Sequence, residues 1–197
     1  MTAAPSHAYV WPFLVPVEEK MRQLQWIESA GGPLVLMHAA CLPGWSGTAP
    51  ALSNSGTTDY ARACWIDDDM GLVATASGCA LVLGDEPDRT ALIERDEAVF
   101  IVRWRWAPSE DALLSALHSA LPTLEFVTSG VFSTRAGVHL LFDSAVPGAH
   151  VDANRSESLV VTLAMPRLSL ASVVFKPSSK ICALIHRLAP DGADASG

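Results

Sequence analysis

Basic residues are scarce in this chain of 197 residues: 13 Lys and Arg stand against 21 Asp and Glu, a formal net charge of −8. That balance argues against nucleic acid or an anionic membrane as a partner and favours a basic protein. The four cysteines, Cys41, Cys64, Cys79 and Cys182, lie far apart with no CxxC pair. Neither a disulfide framework nor a zinc site has support in that spacing, and four small buried thiols in a reducing cytosol are expected. Long apolar runs are also missing. The longest, over 71–84, is punctuated by Gly78 and by Ser and Thr, and is too short to span a bilayer. The opening "MTAAPSHAYVWPFLVPVEEK" has three prolines and no basic stretch ahead of an apolar one, so it does not read as a signal peptide. A cytoplasmic protein is the expectation.

Recognisable catalytic motifs are absent too. There is no phosphate-binding loop, dinucleotide fingerprint or H-E-x-x-H pair. "PGWSGT" falls one residue short of the Gly-x-Ser-x-Gly turn that presents a nucleophile. His150-Val151-Asp152 reads as a solvated loop, His118 as a residue at the edge of a core, and His186, in an apolar strand, as a hydrogen-bonded structural histidine. No catalytic residue, cofactor or metal ligand is assigned. Asp67-Asp68-Asp69 lacks the glycine spacing of a calcium loop.

Half the residues are hydrophobic and 17% charged, a globular composition. The chain suits one domain over 23–190, with a loose arm over 1–22, where Met21 offers an alternative start, and a polar tail over 191–197. Inside the domain strands dominate. "WIESAGGPLVLM" places Gly31-Gly32-Pro33 between strand-like stretches at 24–28 and 34–37, an opening pair joined by a turn. "MGLVATASGCALVLG" reads as a hairpin, 72–75 and 79–83, turning at Ser77-Gly78. In "AVFIVRWRWA", Phe100, Val102, Trp104 and Trp106 share one face, and Val99, Ile101, Arg103 and Arg105 the other. Further strands are expected at 124–128, 138–142, 159–163, 172–175 and 181–188.

"TDYARACWI" begins a short helix capped by Thr58 or Asp59. The clearest helix is "APSEDALLSALHSALP", about 108–121, with acidic residues in its positive first turn, Pro122 at its end and Leu113, Leu114, Leu117 and Leu121 as its buried stripe. One strong helix among many strands, without βαβ alternation, gives an α+β fold: mostly antiparallel sheet with the helix packed on one face.

Charge is unevenly spread. Twelve acids against five bases between positions 59 and 111 account for seven of the eight net negative charges. The acids cluster in "IDDDMG", "GDEPD" and "ERDE", turns between strands, where each run either serves solubility at a loop tip or, three together, contributes to a directional negative field able to steer a basic partner. Asp67, Asp68, Asp69, Asp85, Glu86 and Asp88 are therefore candidate contacts. Among six tryptophans, Trp104 and Trp106 are expected in the core. Trp45, in a Gly-rich loop, is either a lid on the core or an interface anchor.

The pieces "WIESAGGPLVLM", "LPGW", "DYARAC", "GLVATASGCALVLGDEP" and "FIVRWRWAPSEDALLSAL" resemble, in sequence and in order, the immunity protein 21 family of bacterial polymorphic toxin systems. "LLFDSAVPG" and "ALIHRLAP" resemble its later part, so the likeness runs over 26–190; "PRLSLASVVFKPSSK" fits it poorly. The resemblance implies a protein that binds and neutralises a cognate toxin domain and catalyses nothing. It supplies no site residues. A small-molecule-binding domain with Trp45 and Trp65 lining a pocket, or a hydrolase using Ser46 with His150 or His186, are the competing classes.

Overall fold

The Gly31-Gly32-Pro33 turn has a steric explanation. Gly31 holds φ +126°, a region closed to most side chains, and a Cβ on Gly32 would run into the Tyr60 ring. The turn hangs from Asp143, whose Oδ2 accepts the Ala30 N–H at 2.8 Å. Ser144 N–H donates to the Pro33 carbonyl at 3.1 Å. Past the proline the chain enters strand β1 (Leu34–His38), as expected.

The computed structural model describes residues 24–49, 57–84, 87–153 and 156–192. The N-terminal arm, most of the C-terminal tail, and Asp85 and Glu86 lie outside the described residues. After β1 and a 3-10 turn (Ala39–Gly44) come helix α1 (Asp59–Ala63) and strands β2 (Met70–Ala74), β3 (Cys79–Leu83), β4 (Arg89–Arg95) and β5 (Ala98–Trp106). Helix α2 (Glu110–Ala120) follows, then β6 (Val127–Ser133), β7 (Gly137–Asp143), β8 (Leu159–Leu163), β9 (Arg167–Ser178) and β10 (Ile181–Pro190).

The strands form two five-stranded sheets, ordered β2-β3-β1-β7-β8 and β4-β5-β10-β9-β6, with every pairing antiparallel. The α+β class holds, and the antiparallel structure is divided between two stacked sheets. Alternation along each strand sends side chains both ways. Leu34, Leu36, Leu81, Leu141 and Leu159 of the first sheet meet Val99, Ile101, Phe132, Leu170 and Leu188 of the second in the central core. On the second sheet's outer face, Phe100, Val102, Ala183 and Ile185 pack against Leu113 and Leu117 of α2. The first sheet's outer face, with Val35, Met37, Val82 and Phe142, is covered by Cys41, Leu42, Trp45 and Ala63.

The helices begin where their caps dictate. Ser109 Oγ accepts the Ala112 N–H at 3.2 Å at the start of α2, and Thr58 Oγ1 accepts the Ala61 N–H at 3.0 Å at the start of α1.

Several expectations need correction. The 24–28 segment does not pair with β1; Ile27 forms a two-way bridge with Thr90 of β4, because the two stretches serve different sheets. β4 was not anticipated, and the strand expected at 124–128 begins at Val127. Trp104 is only half-buried, stacked edge-on against Trp26 at 5.5 Å. Trp106 is exposed at the end of β5, its Nε1 donating to the Ser179 carbonyl at 3.2 Å under the Lys176 ammonium. Asp191, assigned to the tail, is bound to Arg167 at 2.9 Å. The cysteines are all free thiols, two buried and two partly exposed.

Candidate partner-binding face

The acidic residues between positions 59 and 111 meet different fates. Asp59 is buried. Its Oδ2 accepts the Ser46 N–H at 2.7 Å, its Oδ1 is paired with Arg62, and its own N–H donates to Ser46 Oγ at 3.2 Å. Ser46 is thus a structural partner of Asp59, and His186 is bonded to Ser172 in the second sheet, so the two do not form a catalytic pair. Arg62 also donates from Nη1 to the Ala74 carbonyl at 2.6 Å, which fastens α1 to the end of β2.

From α1 the chain runs over Trp65, Ile66 and Asp67-Asp68-Asp69 into β2. Ile66 packs against Gly71, where a Cβ would come within 2.8 Å of its Cδ1, so only glycine allows this approach. At the far end the Asp69 carbonyl accepts the Gly84 N–H at 2.9 Å and Nη1 of Arg103 at 3.4 Å. The backbone is therefore held at both ends, while Trp65 is 67% exposed and all three aspartates are exposed.

Asp88 is different. It is mostly buried beside two cations, with Arg105 Nε at 3.0 Å and Arg103 Nε at 3.9 Å. Its charge is spent inside the protein, so it drops out as a surface contact. Arg103, itself buried, also donates from Nη2 to the Gly84 carbonyl at 3.3 Å. No pattern in the sequence announces a buried arginine that ties the acidic loop to the strand behind it.

Trp45 is 1% exposed, its Nε1 donating to the Ser144 carbonyl at 2.9 Å and its ring edge-on to Phe142. It is the core lid, and an anchor for a partner must be sought elsewhere. Because Trp45 is buried and Trp65 exposed, the two do not line a shared pocket. Trp65 is the more exposed of the two exposed tryptophans among the described residues, and it precedes in the chain the aspartates that the sequence singled out.

The third acidic cluster lies apart. Arg95 pairs with Ala98, leaving Asp96-Glu97 as a two-residue hairpin turn in which both residues hold positive φ. Arg103 lies five residue steps along β5 from Ala98, about 17 Å of strand. The acids that look like one field in sequence are thus distributed to opposite ends of the sandwich.

Two histidines are buried between the sheets. His186 Nδ1 is 2.8 Å from Ser172 Oγ; burial, with Arg103 and Arg105 adding to it, pushes its pKa down to about 3. His139, unremarked in the sequence, donates from Nδ1 to the Gly137 carbonyl and accepts from Thr134 Oγ1 at 2.9 Å. Burial lowers its pKa to about 4, against the pull of the Gly137 bond. Both are neutral structural groups at neutral pH. Among the described residues no three His, Cys, Asp or Glu side chains gather as metal ligands, and no helix is long and apolar enough to cross a membrane.

Two stacked antiparallel sheets thus carry an exposed acidic segment with a tryptophan at its start. The chain belongs to the immunity protein 21 family, whose family model matches residues 25–180. The match takes in 166–180, the stretch expected to fit the family poorly. No curated protein and no solved structure matches the chain.

Proposed function

We propose that this immunity protein binds and neutralises a cognate polymorphic-toxin domain in the cytoplasm, and that it does so through the segment 65–69. The observation that carries this reading is an exposed tryptophan beside three exposed aspartates on a backbone pinned at both ends. A loop already fixed costs little ordering on association. Tryptophan is among the residues most enriched at energetic anchors. Three carboxylates steer a basic polypeptide and raise its association rate by roughly 10–10³-fold at low ionic strength. Asp85 and Glu86 lie outside the described residues and remain candidate contacts on the sequence alone. The reading involves no cofactor, no nucleic acid and no membrane.

A growth assay tests the role. The C-terminal toxin-like domain of the large secreted protein encoded beside this gene is expressed in a bacterial host with and without the chain. The expected result is killing alone and rescue together. Killing that persists beside soluble, folded chain would contradict the reading.

A further inference from the structure

The outermost strands β2 and β6 lie on the same side of the sandwich, one from each sheet. Between them runs a cleft of about 660 Å³. It is lined by Asp68, Asp69 and Leu72 on one wall and by Val127 and Val131 on the other, with Val174 of β9 between. Here the central core opens to solvent: Val127 is 75%, Val174 62% and Leu72 42% exposed. Three large aliphatic side chains in one cleft are more than scattered surface apolarity.

The edge of β2 is also available for pairing. The Gly84 N–H reaches Asp69 O, and the Thr75 N–H reaches Gly78 O at 2.7 Å, so the odd-numbered residues turn their backbone groups toward β3. Antiparallel alternation then directs the N–H and C=O of Met70, Leu72 and Ala74 outward. Arg62 occupies the Ala74 carbonyl. Met70 and Leu72 form the remaining edge, a ready template for another strand. The charged side chains lining the cleft are Asp68 and Asp69. Arg103 stands behind them, engaged with the Asp69 and Gly84 carbonyls and, like Arg105, with Asp88.

We propose that this cleft receives an extended segment of the toxin domain, added as a further strand on the edge of β2, with Lys or Arg beside Asp68 and Asp69 and aliphatic residues against Leu72, Val127 and Val174. The assignment rests on the immunity reading above and names how its partner is held. Strand addition takes affinity from main-chain hydrogen bonds and selectivity from alternate side chains. The acidic rim supplies the charge selectivity and turns away a second copy of this chain, which would bring its own Asp68 and Asp69.

The test uses the full chain and a catalytically inactive form of the toxin-like domain encoded beside the gene. Val127→Lys and Val174→Lys replace exposed residues and leave the fold intact; each is expected to weaken binding about tenfold or more. Val160→Lys, on the opposite edge strand β8 and also exposed, should bind as wild type. Hydrogen exchange of the Met70 and Leu72 amides should slow in the complex. If both cleft variants bind as Val160→Lys does and the amides are unaffected, the cleft is not the site. Weakened binding with unprotected amides would overturn strand addition. A chain that sediments as a dimer, broken by Val174→Lys, would place a second copy there and overturn the assignment. If wild type neutralises the domain while the cleft variants do so equally well, only this inference falls. If wild type does not bind the domain, the immunity reading falls with it.

Discussion

The two long sides of the sandwich treat their edge strands in opposite ways. On one side β4 and β8 approach each other, and the segment 24–28 lies across them. Ile27 exchanges two backbone hydrogen bonds with Thr90 of β4, at 2.9 and 2.8 Å, and buries its side chain in the central core. Gln25 donates to the Ser158 carbonyl beside β8, Glu28 pairs with Arg89, and the Arg89 guanidinium stacks on both Trp26 and Trp104. On the other side β2 and β6 leave a cleft with aliphatic residues in the open. Unprotected edges invite aggregation, and proteins usually cover or charge them. This chain straps one side closed and leaves the other open with aspartates at its rim, and the proposed partner site lies on that open side.

Acid should give the largest effect, because it attacks the interior that both sides share. His139 and His186 are neutral when folded, with pKa values lowered to about 4 and about 3, whereas an unfolded histidine titrates near 6.5. The unfolded state therefore binds more protons below about pH 6.5, and stability falls as pH drops from there toward 4 and then 3. Above that window these groups contribute no slope. Denaturant midpoints measured across pH should show this fall, and His139→Gln and His186→Gln should each flatten it. An unchanged slope in both variants would place the acid sensitivity elsewhere.

The strap comes next. Ile27→Ala should cost about 2–4 kcal/mol in denaturant unfolding, since it empties a core position, and should leave toxin affinity unaltered. A loss below about 0.5 kcal/mol, the usual size of a surface change, would mean that the closed side is closed in appearance only. The smallest effect belongs to the far hairpin. Two-residue turns with positive φ at both positions favour Asn-Gly, so replacing Asp96-Glu97 by Asn-Gly should stabilise by about 1 kcal/mol. Affinity should stay the same. Weaker binding there would shift the partner toward the end of the sandwich opposite Asp67–Asp69.

Sequence patterns disclosed what local chemistry dictates. Ser109 and the spacing of Leu113 and Leu117 mark α2 correctly, and the alternation of Phe100 and Val102 against Val99 and Ile101 divides β5 between two cores. Pairing between distant strands was not legible. Nothing in "WIES" says that Ile27 belongs with Thr90 instead of with β1, and "RTALIER" has charges at both ends that mask β4. At the site, Asp67–Asp69 could be picked out as a charge run, but nothing local in the sequence shows that the Asp69 carbonyl is tied to Gly84 and Arg103. Asp88 looked equivalent until Arg103 and Arg105 were brought beside it from β5. Trp45 was ambiguous because a loop rich in glycine gives no hint that Phe142 and the Ser144 carbonyl are waiting beneath it.

The most direct test of the central claim is the association rate of the inactive toxin-like domain with wild type and with Asp67→Asn/Asp68→Asn/Asp69→Asn, followed as salt is raised. Wild type should associate fast at low salt and slow steeply as the charges are screened over about 10 Å at 0.1 M. The triple variant should start about tenfold slower and respond weakly to salt. Equal rates and equal salt dependence in the two proteins would show that the acidic loop does not guide the partner.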